Sequence, residues 1–270
     1  MIGQIKQNWL KGNFQDMPME PPHDRGVFCV DIHGNDVVTG SADHGLRVFD
    51  INTGKFRREL FTKRCGHREW VSSCAYLPDG RILSGGMDSQ LCLWKRGSVV
   101  CDHIAAHDAS ISKVLVDEHC IGLSASYDCF INVWDLNAID TVQQLYGPHK
   151  NAILDMDWKN SLVVSGDKNG VVAFWDLNSG RHIKQMKAHT GGVGCTRLHS
   201  DGLNQHLIVS TGLKDGLVNI FDMRTNEPVY SERLHGGAIN ECVSDMSGNC
   251  KKIIHFLWLF FLFFSDYLQC

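Results

Sequence analysis

The fold is decided by the stretch AHDASISKVLVDEHCIGLSASYDCFINVWD, residues 106–135. It opens on a small residue followed by His107 and closes on Trp134, and between them it places Ser124 and Asp128 at successive spacings of 17, 4 and 6 residues. Imidazole, hydroxyl, carboxylate and indole groups can hydrogen-bond in series. The stretch therefore predicts a buried polar network that ties strands to a tight turn.

The same pattern recurs along the chain at intervals of 40 to 46 residues. The closing aromatic recurs as Phe49, Trp94, Trp134, Trp175 and Phe221. The opening histidine recurs as His67, His107, His149 and His189, and His235 begins a further unit. Self-similarity at such a period is typical of one supersecondary unit that stacks against copies of itself, because a single unit cannot bury its apolar faces alone.

Counting back ten and six residues from each aromatic gives the hydroxyl and the carboxylate of each network. We predict that the networks comprise His67, Ser84, Asp88 and Trp94; His107, Ser124, Asp128 and Trp134; His149, Ser165, Asn169 and Trp175; and His189, Thr211 and Asp215. Asn169 would cost the fourth network a charge, and Phe221 cannot donate a hydrogen bond in the fifth. We expect the fifth unit, with an insertion around residues 200–206, to be the least regular.

Histidine after a small residue and Trp-Asp at the end of a unit resemble the repeat of WD40 proteins, over about residues 27–249. The resemblance implies an all-β, circular propeller, usually of seven blades, which binds proteins or peptides on its top face and rim. Here the repeat predicts about five complete blades, near 27–64, 70–105, 111–146, 153–187 and 192–234. A partial sixth begins at 238–243, so we expect an incomplete ring.

The two ends of the chain lack the repeat. Residues 1–26 are interpreted as an N-terminal extension, able to supply a closing strand and a linker. Residues 250–270 form a hydrophobic tail whose run IIHFLWLFFLFF (253–264) is shorter than the roughly 20 residues of a membrane-spanning helix. This tail is interpreted as an unrelated end of a truncated or spliced product, a membrane anchor, or a degenerate strand of the sixth blade.

The amino-acid composition argues against several classes of function. The net charge is −4, with 26 basic and 30 acidic residues, which gives no basic field for nucleic acid. Eleven cysteines, an odd number without a Cys-x-x-Cys pair, argue against a zinc site or a disulfide framework. With no N-terminal signal peptide, the sequence predicts a cytoplasmic or nuclear protein that needs no cofactor, binds no nucleic acid and does not insert into a membrane.

A second resemblance concerns residues 8–14 (NWLKGNF) followed by 26–30 (GVFCV). They are similar to the segment that joins an F-box to the propeller in F-box/WD40 proteins, the substrate-recognition subunits of cullin-based ubiquitin ligases. The resemblance implies ubiquitin-ligase components as partners, with the F-box itself absent from this chain. The alternative is a scaffold in another complex, in RNA processing, trafficking or the cytoskeleton.

The resemblance also implies a binding surface at the loops before each first strand. The candidate partner-binding residues there are Arg68, Trp70, Ser72, Ser112, Asn151 and Leu154. Trp and Arg are enriched at binding hot spots, although Trp70 could instead pack over the adjacent blade. The phosphate-binding family members carry arginines after the first residue of the innermost strands. The positions here are Phe28, Ser72, Ser112, Leu154, Gly194 and Asn240, so we expect binding that does not depend on phosphate.

The trio His107, Ser124 and Asp128 has the composition of a hydrolase triad. Because the trio recurs at blade period, and no G-x-S-x-G or other catalytic motif accompanies it, we predict that the protein is not an enzyme.

Overall fold

The computed structural model describes residues 17–62, 64–199, 207–225, 227–244 and 253–255. In these residues the regular structure consists of β-strands, and five antiparallel sheets of four strands each follow one another along the chain. Blade one contains β1 (Val27–His33), β2 (Asp36–Ser41), β3 (Leu46–Asp50) and β4 (Phe56–Leu60). Blade two contains β5 (Val71–Tyr76), β6 (Ile82–Gly86), β7 (Gln90–Trp94) and β8 (Cys101–Ala105). The predicted all-β architecture is confirmed.

The remaining blades have the same order. Blade three contains β9 (Ile111–Val116), β10 (Ile121–Ser126), β11 (Ile131–Asp135) and β12 (Asp140–Leu145). Blade four contains β13 (Ile153–Lys159), β14 (Leu162–Asp167), β15 (Val171–Asp176) and β16 (Arg181–Lys187). Blade five contains β17 (Val193–His199), β18 (Leu207–Gly212), β19 (Leu217–Asp222) and β20 (Pro228–Arg233). The strands β21 (Cys242–Ser244) and β22 (Ile253–His255) then pair antiparallel.

The blades contact one another mainly through their first strands, since β1 lies against β5, and β5, β9, β13, β17 and β21 follow in sequence. Buried apolar residues form clusters between successive blades and not inside one sheet. Between blades one and two, for example, Val38 and Leu46 pack with Val71, Cys74 and Trp94. This is the radial packing that the repeat predicts.

The side of blade one on which a preceding blade would pack is more exposed than the matching sides of the later blades. Val30 of β1 is 61% exposed, whereas the corresponding Cys74, Val114 and Met156 of β5, β9 and β13 are 7%, 1% and 0% exposed. Val27 and Ile32 are likewise 51% and 54% exposed. In the described part of the chain, the side of blade one that would receive a preceding blade is therefore an open apolar surface.

At the other end, blade five is covered in part. Ile239 and Cys242 are buried against Cys195 of β17, and they form a small cluster with apolar residues of β18 and β19. Apart from 253–255, the hydrophobic tail lies outside the described residues, as do the insertion around residues 200–206 and the segment 8–14. The described ranges contain no helix long and apolar enough to cross a membrane.

Candidate functional site

The network of blade three connects the loop before the blade to its two central strands. His107 Nδ1 donates to Asp128 Oδ2 at 2.8 Å, and His107 Nε2 lies 2.7 Å from Ser124 Oγ. The indole Nε1 of Trp134 donates to the same hydroxyl oxygen at 2.9 Å. The serine hydroxyl can donate to Nε2 while it accepts from the indole, so the neutral imidazole satisfies every partner.

Blade two repeats this geometry. His67 lies 3.0 Å from Asp88 and 2.8 Å from Ser84, and Trp94 donates to Ser84 at 2.9 Å. The carboxylate of Asp88 also accepts from the backbone N–H of Arg68 at 2.8 Å. The network therefore fixes the loop that carries the candidate residues Arg68 and Trp70.

In blade four the carboxylate comes from a different position than the sequence pattern predicts. His149 Nδ1 donates to Asp167 at 3.1 Å, whereas Asn169 accepts from the side chain of Asn151. Asp167 occupies the position of Gly86 in blade two, where an added Cβ would lie 2.4 Å from His67 Nδ1. A carboxylate on this earlier residue reaches the histidine directly. Asn169 was the wrong prediction, and the fourth network keeps its charge.

Blade five corrects a second residue. His189 Nε2 lies 3.0 Å from Ser210 Oγ, and Thr211 instead donates to the carbonyl oxygen of Ile239 at 3.2 Å. Phe221 pairs with Ile208, one residue further back than in the other blades, because the turn between β18 and β19 contains one extra residue. Counting back ten residues from Phe221 therefore stops at Thr211, one residue short of Ser210.

Blade one has a network that the sequence prediction missed. His23 Nδ1 donates to Asp43 at 2.8 Å, and its Nε2 lies 2.8 Å from Thr39 Oγ1. His23 falls in the segment predicted as an N-terminal extension. The signal was present, because His23 precedes Thr39 by 16 residues, as His149 precedes Ser165.

Ionisation in these networks follows from burial and hydrogen bonding together. Burial of Asp128 opposes its ionisation, but the hydrogen bonds from His107 and from backbone N–H groups outweigh burial and lower the pKa of the carboxyl below 3.8. The pKa values of Asp88, Asp167 and Asp215 are lowered in the same way. Burial lowers the pKa of His189 below 6.5, so its neutral form is favoured.

The same geometry argues against a nucleophilic role for Ser124. Its side chain is fully buried, and its oxygen accepts the indole hydrogen bond. A nucleophile must reach a substrate, and this hydroxyl is enclosed between strands. The trio is a structural connection in each blade.

The first strand of every blade carries a β-bulge at its second residue. The residues displaced from the strand register are Phe28, Ser72, Ser112, Leu154 and Gly194. A bulge re-aims a side chain out of the sheet. These are five of the six positions at which the WD40 resemblance places binding residues.

Most of the candidate polar side chains bond within the protein. Ser72 donates to the carbonyl oxygen of Gly85 and Ser112 to that of Ala125, at 3.0 and 3.1 Å. Asn151 accepts from the N–H of Ala152. Leu154 is half-buried, beside the loop that opens blade five. These side chains therefore make contacts within the protein that stabilise the packing of the blades.

Trp70 and Arg68 have a different environment. Trp70 is 38% exposed and stacks on Phe28 of blade one, with ring centroids 5.5 Å apart and an interplanar angle of 22°. Arg68 is exposed two residues earlier in the same loop. Trp70 thus packs over the adjacent blade and still presents a face to solvent. Phe28, one of the bulge positions that lack an arginine, contributes half of this aromatic pair.

Comparison with known proteins agrees with this geometry. The family described as WD domain, G-beta repeat matches residues 19–50, 58–95 and 180–222. The computationally designed Ika8 protein superposes with a TM-score of 0.72 at 21% identity, over 87% of this chain and 69% of that one. The chain carries WD40 repeats, and its fold is that of a WD40 β-propeller.

Among curated proteins, the chain is 26% identical to Autophagy-related protein 16 of Arabidopsis thaliana, over 83% of this chain and 43% of that protein. It is 24% identical to the guanine nucleotide-binding protein subunit beta of Oryza sativa subsp. japonica, over 73% and 55%. It is 25% identical to the APC/C activator protein CDC20 of Saccharomyces cerevisiae, over 65% and 30%. The chain thus spans about half or less of the length of these relatives.

Proposed function

We propose that this protein is a non-catalytic interaction platform that binds a protein or peptide at the surface formed by Phe28, Arg68 and Trp70, here called the aromatic rim. The observation that carries the proposal is the stacked, part-exposed pair Phe28–Trp70. A rigid aromatic side chain with an arginine beside it is the usual composition of a binding hot spot.

The rim is held in place before any partner arrives. Asp88 fixes the backbone of Arg68, and the carbonyl oxygen of Trp70 accepts from the N–H of Met87 at 2.8 Å. A loop ordered in advance loses less conformational entropy on binding, which favours affinity. The bulge positions provide no arginine beside the rim, so we propose recognition that does not require a phosphate group.

Within this class, the segment 8–14 favours a substrate-binding propeller of the F-box/WD40 type, with ubiquitin-ligase components as partners. The runner-up is a scaffold in another complex. The nine described cysteines are all free, which suits a reducing compartment such as the cytosol or nucleus. If a longer parent chain recovers no cullin-ligase linker protein in a pull-down, the adaptor hypothesis is wrong.

The platform is tested by comparing the proteins recovered with tagged wild type, with Trp70→Ala and with Tyr230→Ala. Tyr230 is a matched control because it is an exposed aromatic residue on the outer strand β20. Partners should persist with the control and bind Trp70→Ala at least about tenfold more weakly, the loss expected for a hot-spot aromatic. Equal recovery by all three proteins would show that the rim is not the binding surface.

A further inference from the structure

A cluster of soft metal-ligand side chains lies beside the connection from blade one to blade two. Cys101 and His103 are two positions apart on β8, and Cys65 approaches them from the connection between β4 and β5. One ligand atom from each of these residues lies within 4.8 Å of the others. Cys101 Sγ is 3.6 Å from His103 Nε2.

We propose that Cys65, Cys101 and His103 form a binding site for Zn²⁺, with a fourth position open to water or another ligand. In a tetrahedral site with Zn–S of about 2.3 Å and Zn–N of about 2.0–2.1 Å, sulfur and nitrogen ligands stand about 3.6 Å apart. The Cys101–His103 separation has this value. Two thiolates balance the charge of the ion, and sulfur with imidazole selects zinc over magnesium or calcium.

The histidine is oriented for this role from its other side. Cys92 faces His103 across the β7–β8 ladder, and its sulfur lies 3.5 Å from His103 Nδ1. Cys92 is fully buried, so this contact is held by the core of the blade. A partner at one ring nitrogen fixes the tautomer and leaves the other nitrogen free for a metal, so Cys92 is a positioning residue.

Two hydrogen bonds tie Cys65 to Thr62, and a cleft gives the site a route of entry. The backbone N–H of Cys65 donates to Thr62 Oγ1 at 2.9 Å, and the N–H of Thr62 donates to the carbonyl oxygen of Cys65 at 2.7 Å. A cleft of about 570 Å³, lined in part by Cys65 and His103, opens beside the cluster. Cys101 is buried, Cys65 is half-buried and His103 is exposed. An ion can therefore reach the position that these three residues surround.

A bound ion would tie the connection between blades one and two to the outer strand of blade two. Cys65 lies two residues before His67, which begins the network of blade two, and the other two ligands lie on the outer strand of that blade. Metal binding to the folded state alone raises stability. The proposal does not depend on the aromatic rim.

The test uses the full chain, purified under reducing conditions, stripped with a chelator and titrated with Co²⁺ and then Zn²⁺. Wild type should bind one Co²⁺ with a thiolate-to-cobalt absorption band, lose the band when Zn²⁺ displaces it, and melt at a higher temperature with Zn²⁺. His103→Asn, at an exposed position, should retain the fold and bind at least about tenfold more weakly, as should Cys65→Ser. Cys120→Ser, a half-buried cysteine in blade three, is the control and should bind as wild type does.

Three results would overturn the proposal. One is the absence of a cobalt band in reduced wild type. Another is a band of unchanged affinity in a Cys65→Ser/Cys101→Ser double variant, which would place the metal at other cysteines. The third is a Cys65–Cys101 disulfide that persists after purification under reducing conditions, found by mass spectrometry after alkylation, in protein that takes up no metal.

Discussion

In each blade, hydrogen bonds from a few single residues meet at one hydroxyl oxygen. In blade three the Ser124 hydroxyl joins His107 to Trp134, and Asp128 completes the chain. Loss of any member leaves a buried polar group without its partner, which costs about 1–3 kcal/mol. The position of the carboxylate can vary, as Asp167 shows, because the histidine requires only that an acceptor reach Nδ1.

Asp167→Ala should lower the free energy of unfolding by about 1–3 kcal/mol, because it leaves His149 Nδ1 without an acceptor. Asn169→Ala, two residues away and exposed, should change it by about 0.5 kcal/mol. Urea denaturation of both variants gives the comparison. The reverse order of effects would restore Asn169 as the network residue.

Trp134→Ala should cost about 3–5 kcal/mol, since it removes a large buried aromatic side chain and leaves a cavity. The indole is 4% exposed and is bonded to Ser124. Trp70→Ala is the control, because Trp70 is part-exposed and should lose much less. Similar thermal melts of wild type and Trp134→Ala would contradict a buried network.

Acid should destabilise the protein. The folded-state pKa of Asp128 is lowered below 3.8, so its contribution to stability is present above that pH and is lost as pH falls through the folded-state value. The lowered pKa of His189 acts in the same direction below 6.5. Urea midpoints measured from about pH 7 to about pH 3 should fall, and Asp128→Asn should flatten the acid part of the curve. A midpoint that stays level over this range would disprove the linkage.

At the scale of the strands, the second strand of one blade must leave room for the side chains of the first strand of the next blade. A Cβ added at Gly85 of β6 would lie 2.6 Å from Ile111 Cγ2 of β9, and one at Gly166 of β14 would lie 2.5 Å from Val193 Cγ1 of β17. The glycines let apolar side chains of the following blade pack against the backbone. The bulge at the start of each first strand and these glycines together set how closely two blades approach.

Gly85→Ala should therefore destabilise the protein by about 1–3 kcal/mol, as overpacking of a well-filled core does. Gly26→Ala is the control, because a Cβ there meets nothing within 4 Å and the backbone is not in the left-handed region. Thermal and urea denaturation should separate the two variants. If Gly85→Ala is as stable as Gly26→Ala, the packing between blades two and three is looser than the structure indicates.

Across the whole molecule, the blades form a series with one open apolar face. Val27, Val30 and Ile32 are exposed at the start of the series, whereas the residues equivalent to Val27 and Val30 in later blades are buried. An exposed apolar patch of this kind favours association with another surface. The aromatic rim lies where blades one and two meet, and the proposed zinc site lies beside the connection between these two blades.

Val30→Lys should change stability by about 0.5 kcal/mol, since the site is exposed, and it should reduce concentration-dependent self-association measured by sedimentation. Val114→Lys, at the equivalent and buried position of β9, should unfold the protein because the charge would enter the core without a partner. A stable Val114→Lys variant, or association unaffected by Val30→Lys, would show that the face of β1 is not the open surface.

The all-β fold, the five blades and most network residues can be predicted from the sequence, because hydrogen bonding among His, Ser, Asp and Trp requires these residue types at nearly constant spacing. Residues whose spacing shifts with the local turn, such as Asp167 and Ser210, cannot be predicted in this way. Contacts between residues of different blades follow from the packing of the folded chain. Phe28 meets Trp70 because blades one and two pack together, and Cys65 meets Cys101 and His103 because the connection between these blades passes β8. The spacing of residues along the chain predicts neither contact.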